Sequence, residues 1–299
     1  MFTKEFQIRS HAGAIYALAA WPEKNLIFTG GSDKIVATWN VETHEQHPIS
    51  IRMEDGIYAM AFCSSLNQLV VGTSKGGIHI IDLLQKKELR HLKIHEGGVF
   101  GLRYSEDGKH LFALGGDGVL SIWNTIDFSL LKLLKLSTEK LRTCWVNTTE
   151  NQLWMGCGEG KIHLVDLKSF TKTLGFEAHA GSVYGMAYHA SKNTLITGGK
   201  DGHLKIWKSN SYSKPLLKIA AHNFAVYGIT ETPYGFVSCS RDHSIKIWDK
   251  NSFEILQKLD IKSAGGHTKS VNNMLWNESL NRLVTVSDDH SIIFWKPVA

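Results

Sequence analysis

The chain has 299 residues, 43% hydrophobic and 20% charged, a balance that excludes an intrinsically disordered protein. Its 33 basic and 28 acidic side chains leave a formal net charge of +5, and no run of five or more Lys or Arg marks a nucleic-acid patch. No stretch approaches the ~18 uninterrupted apolar residues of a membrane span, and five prolines with 27 glycines exclude collagen-like and proline-rich classes.

The opening segment, MFTKEFQIRS, has no apolar leader, so the sequence predicts a cytoplasmic protein. Along the chain one pattern then recurs. TGGSDKIVATWN ends at Asn40, ALGGDGVLSIWN at Asn124, TGGKDGHLKIWK at Lys208, SCSRDHSIKIWD at Asp249 and TVSDDHSIIFWK at Lys296. Trp39, Trp123 and Trp207 are each 84 residues apart, twice 42, and the midpoints fall on Ile81 and Val165 within VGTSKGGIHIIDL and GCGEGKIHLVDL. With Trp248 and Trp295 the spacings run 42, 42, 42, 42, 41 and 47, so seven repeats fill the chain as a single domain over 1–299.

Each repeat reads as β. Short apolar runs such as LIFTGG and KIVATWN alternate with turns containing Gly, Asn or Asp, and no segment holds a helical stripe over three turns. Three strands, a turn and a fourth strand such as KPLLKIAAH make one repeat. Only three residues follow Lys296, too few for a fourth strand, whereas EFQIRSH at the start aligns with LLKIAAH before the sixth repeat. Residues 1–10 are therefore expected to supply the outer strand of the last repeat.

Four residue types keep fixed offsets from the tryptophan. His11, His179 and His267 stand 28 before it and His222 26 before; Thr29, Thr197, Ser238 and Thr285 ten before; Asp33, Asp201, Asp242 and Asp289 six before Trp39, Trp207, Trp248 and Trp295. The third repeat has His95, Asp117 and Trp123 but Ala113 at the hydroxyl position. The second carries Met53, Val71, Lys75 and Ile81, and the fourth Ser137, Met155, Glu159 and Val165, so both are expected to depend on apolar packing. These residues and the IWN and IWD endings resemble the WD40-repeat family across essentially the whole chain. The resemblance implies an all-β, seven-bladed propeller of four-stranded antiparallel blades, closed into a ring by the N-terminal strand, with His, Ser/Thr, Asp and Trp hydrogen-bonded in series within a blade.

Little here points to catalysis. No His-Glu-x-x-His, Gly-x-Ser-x-Gly or phosphate-loop motif occurs, and the repeat histidines are one per blade, so no metal or cofactor is expected. Cys63, Cys144, Cys157 and Cys239 form no Cys-x-x-Cys pair and read as free thiols. A recognition pattern does stand out. An aromatic follows the core aliphatic of the first strand at Tyr16, Tyr58, Phe100, Tyr184 and Tyr227, with Arg142 and Asn272 in the other two repeats. Strand alternation would turn these side chains away from the core. The resemblance implies that they lie near the upper mouth of the central channel, beside a basic sector of Lys200, Arg241 and Arg142. The insertion IKSAGGHTKS before the seventh repeat would lengthen a loop on that face.

The sequence is thus read as a non-enzymatic scaffold, a monomer by itself, that binds a protein or peptide through this upper face. A ligand arginine or lysine could sit on the aromatics by cation–π contact. The alternatives are an enzyme with a site in the central channel, and nucleic-acid binding through the basic sector.

Overall fold

The computed structural model describes residues 1–9, 11–148, 150–209 and 211–298. Its strands form seven four-stranded antiparallel sheets, one per repeat, each built from strands consecutive in the chain except the last. The first sheet runs Ile15–Trp21, Leu26–Gly31, Ile35–Asn40 and Gln46–Arg52. The residues group into two compact units, Met1–Met53 with Tyr184–Ala299, and Glu54–Val183. The sheet count, the strand order and the completion of the seventh sheet by the N-terminal strand are the topology of a seven-bladed β-propeller. Among the described residues, no helix is long and apolar enough to cross a membrane.

The turns explain recurrent polar residues. Asn25, Asn67, Asn151, Asn193 and Asn281 adopt left-handed backbone between the first two strands of their sheets, which Asn tolerates better than most residues. The Asn or Asp that follows the tryptophan position caps the next turn. Asn40 Oδ1 accepts from the amides of Glu42 and Thr43, and Asp249 Oδ1 from those of Asn251 and Ser252.

The N-terminal strand Phe2–Arg9 pairs antiparallel with Ser291–Pro297. Phe2 is buried in a core cluster with Val237, Ile247, Leu259, Ile293 and Trp295, and its ring packs edge-on against Tyr234 and Trp276. Gln257 grips the Phe2 backbone from the sixth sheet: its Oε1 accepts from the Phe2 amide at 2.7 Å and its Nε2 donates to the Phe2 carbonyl at 2.8 Å. Arg282 forks onto both carboxylate oxygens of Glu5. The insertion before the seventh repeat is also tied down rather than left as an open loop. Asp260 caps a single helical turn, Ile261–Ala264, and Lys4 Nζ donates to the Gly265 carbonyl at 2.7 Å.

Between the inner strands runs the polar series that the family resemblance implied. In the first sheet the Trp39 indole donates to Thr29 Oγ1 at 2.9 Å, Thr29 Oγ1 meets His11 Nε2 at 2.8 Å, and His11 Nδ1 meets Asp33 at 2.7 Å. The sixth sheet repeats this with Trp248, Ser238, His222 and Asp242, and the seventh with Trp295, Thr285, His267 and Asp289. In the fifth, Trp207 donates to Thr197 at 2.9 Å. Asp33 and its counterparts also accept backbone amides from both sides, such as Ala12 and Ile35, tying the incoming segment to the hairpin.

The third sheet corrects the sequence reading. Ala113 does lack the hydroxyl, but Ser121 supplies it from the adjoining strand, accepting from the Trp123 indole at 2.9 Å and meeting His95 Nε2 at 2.9 Å. Ala113 and Ser121 are register partners, just as Thr29 and Ala37 are in the first sheet. The hydroxyl has exchanged places with the alanine across one ladder pair, and the series is intact. The second sheet is apolar here as expected, with Met53, Val71 and Ile81 buried. The fourth buries Met155 and Val165 but retains one polar link, from the Ser137 hydroxyl to the Glu159 carboxylate.

Three outcomes follow. Phe2→Ala removes a fully buried ring from the closing strand and should destabilise by about 3–5 kcal/mol in denaturant unfolding; an unchanged melting temperature after deletion of residues 1–9 would refute the closure. Ser121→Ala leaves the Trp123 indole and His95 short of a partner and should cost about 1–3 kcal/mol. Adding Ala113→Ser to it should recover most of that loss, and an unaltered unfolding midpoint in the single variant would contradict the exchange. Burial pushes His95 and His222 below the usual histidine range despite their aspartates. The unfolded chain then binds protons more readily, so stability should fall as pH drops below about 6.5. Burial raises Asp242 and Asp289, but donors from His222 and Ser244, and from His267 and Ser291, outweigh it and hold both carboxyls well below their range. Their contribution is full above about pH 4 and fades below it, adding a second acid limb to a plot of melting temperature against pH.

Candidate functional site

The Ser238, His222 and Asp242 contacts have the order of a nucleophile, base and orienting carboxylate. The surroundings do not suit attack. Ser238 is wholly buried, and its Oγ already accepts the Trp248 indole at 2.8 Å while meeting His222 Nε2 at 2.8 Å. No substrate atom can reach such a hydroxyl, so the series stabilises the sheet. The cysteines are equally unsuited to attack: burial pushes the thiol of Cys144 up to about 11 and those of Cys157 and Cys239 to about 12.

The recognition residues are positioned by a device that strand alternation does not predict. Ile15 pairs with Gly31 and Ala17 with Gly30, so Tyr16 is an extra residue in a β-bulge. Tyr58, Phe100, Arg142, Tyr227 and Asn272 are the extra residues of equivalent bulges in their sheets. A bulge withdraws one residue from the ladder and re-aims its side chain.

In the unit Glu54–Val183 these side chains assemble. The Tyr58 and Phe100 rings stack at 5.2 Å and 25°, and the Arg142 guanidinium stands 4.6 Å from the Phe100 centroid, with Lys140 Nζ at 5.2 Å. Space for the rings comes from two glycines. A Cβ on Gly98 would lie 2.8 Å from Tyr58 Cδ2, and one on Gly116 2.9 Å from Phe100 Cε2. Phe100 therefore has cations of its own, which leaves its face less attractive to a ligand cation than the sequence reading supposed.

In the unit Met1–Met53 with Tyr184–Ala299, Tyr184 and Tyr227 meet edge to face at 5.2 Å and 89°. Tyr16, Tyr184 and Tyr227 are half-buried, whereas Lys200 and Arg241 are exposed. The Arg241 guanidinium lies 5.9 Å from the ring of Phe224, a residue that is 57% exposed. Phe224 escaped the sequence reading because it sits two residues before the core aliphatic Val226, outside the repeated aromatic position. At Asn272 the bulge is spent internally: its amide donates to the Ile15 carbonyl and to Asp288.

Known proteins resemble this chain along nearly its whole length. It is 26% identical, over 95% of its residues, to the WD repeat-containing protein 91 homolog of Dictyostelium discoideum, and 22% identical over 94% to the Intraflagellar transport protein 80 homolog of Mus musculus. Striatin of Homo sapiens is 23% identical over 85% of the chain. The chain spans 38%, 36% and 37% of the lengths of these relatives. The family described as WD domain, G-beta repeat matches residues 2–40, 86–124, 169–208, 213–249 and 258–296. The stretches between them hold the second and fourth repeats, the two whose tryptophan position carries Ile81 or Val165. Five matched repeats cover more than half of the chain, and it belongs to the WD domain, G-beta repeat family.

Proposed function

We propose that the chain is a non-enzymatic recognition module for a peptide or protein loop. The reading is carried by the bulges, which at Tyr16, Tyr58, Phe100, Arg142 and Tyr227 withdraw an aromatic or arginine side chain from the ladder. The equivalent bulge at Asn272 serves internal hydrogen bonds, but the side chains released at these five positions are large aromatic and arginine groups, the usual anchors of protein interfaces. Tyr184 joins this set through its contact with Tyr227. Lys200 and Arg241 would meet an acidic group of the partner, and Tyr184 and Tyr227 its aromatic or basic anchor.

The two parts should act on different rates. Charges at a rim mainly set association, whereas a buried anchor mainly sets dissociation. With a partner captured from native lysate and purified, Lys200→Glu/Arg241→Glu should slow association and weaken its dependence on salt. Tyr184→Ala/Tyr227→Ala should speed dissociation, each true anchor contributing about 2 kcal/mol or more. Both variants must melt as the parent does. A partner that binds both variants with parental kinetics would move the site elsewhere.

A further inference from the structure

The second sheet lacks the buried polar series, yet it gathers a different set of polar side chains on the same face. Its two outer strands are Gly77–Asp82 and Lys87–Lys93, and their register sets His79 directly opposite His91. A bulge follows, after which Glu88 pairs with Ile81, so Glu88 emerges on the face of the two imidazoles. The rings lie 4.0 Å apart at 21°, and His79 Nδ1 meets Glu88 Oε1 at 2.7 Å. Both Nε2 atoms converge on one place: a Cβ on Gly77 would lie 3.0 Å from that of His91 and 3.1 Å from that of His79. One potential ligand atom from each of His79, Glu88 and His91 lies within 4.8 Å of the others.

We propose that His79, Glu88 and His91 form a site for a borderline divalent transition cation, zinc being the representative, which clips the outer strand of the second sheet to its neighbour. Two imidazoles and a carboxylate are a donor set that zinc accepts, with a fourth position left to water. A tetrahedral zinc with bonds near 2.0–2.2 Å holds its ligands about 3.3–3.5 Å apart. Glu88 stands at His79 Nδ1 while the two Nε2 atoms converge near Gly77, so binding requires the exposed Glu88 and His91 side chains to turn until all three donors face one point. The half-buried His79 is held in place by the sheet, while His91 and Glu88 are exposed and free to adjust. The fourth sheet provides an internal contrast. His163 occupies the register position of His79, but it faces Gly175, and Lys172 pairs with Val165 where Glu88 pairs with Ile81. There a single imidazole stands between Lys172 and the Glu159 carboxylate, 3.8 Å from its Nε2, with glycine and not a second imidazole opposite it, so the assembly in the second sheet is not a general consequence of losing the tryptophan.

The test is titration calorimetry of the metal-free full chain with zinc chloride, and separately with magnesium chloride, alongside thermal melting. One zinc per chain should bind, magnesium should not, and zinc should raise the melting temperature. His91→Ala, at an exposed position, should melt like the parent without metal, weaken zinc binding by at least about tenfold and abolish the zinc-dependent rise. Glu88→Gln should weaken binding as well, whereas His243→Asn, at an exposed turn histidine, should bind as the parent does. Absence of stoichiometric zinc binding, or equal affinity in the parent and His91→Ala, would overturn the site. Parental affinity in Glu88→Gln would overturn the three-ligand assignment.

Discussion

A tryptophan buried inside a thin sheet brings an N–H that must find an acceptor, and most of this architecture follows from meeting that demand. The indole donates to a hydroxyl, the hydroxyl meets an imidazole, and the imidazole meets a carboxylate. The carboxylate in turn collects the amides of the hairpin and of the incoming segment. One series therefore joins the third strand to the second, to the turn between them and to the chain arriving from the previous repeat. Stranding any member would cost more than the bond itself contributes, because the remaining partners are out of reach of water.

The exchange in the third sheet shows that the constraint acts on the hydroxyl's place in space rather than on its position in the chain. Ser121 and Ala113 face each other in the ladder, so either can offer an oxygen to the same indole and the same imidazole. Where the tryptophan is lost, the demand disappears with it. Val71, Ile81, Met155 and Val165 then fill the space as ordinary core. Those sheets are also freed to place other polar groups on the vacated face, as the second does with His79, Glu88 and His91.

Bulges start the inner strands in sheets with and without the polar series. Each removes one residue from the ladder at a place where the neighbouring hydrogen bonds still fix the backbone. The residue so released is an aromatic or an arginine in five sheets and an asparagine that bonds internally at Asn272. Packing sets how these side chains stand. Tyr58, Phe100 and Arg142 lie against one another in one unit, and Tyr184 meets Tyr227 in the other.

The sequence by itself determined the number of repeats, the β class, the closing role of Phe2–Arg9 and the series in which tryptophan, hydroxyl, histidine and aspartate recur at fixed offsets. These were legible because they depend on period and on local spacing, which the linear order preserves. The tertiary structure decided what depends on pairing between strands. Ser121 could replace Ala113 only once the register set them opposite. The aromatics left the ladder by bulges, not by alternation, because an extra residue is visible only against its partner strand. The insertion before the seventh repeat became a capped turn held by Lys4. His79, Glu88 and His91, scattered along the chain as ordinary polar residues, share one face because two strands align and one of them bulges; that registry belongs to the folded sheet, and no linear spacing records it.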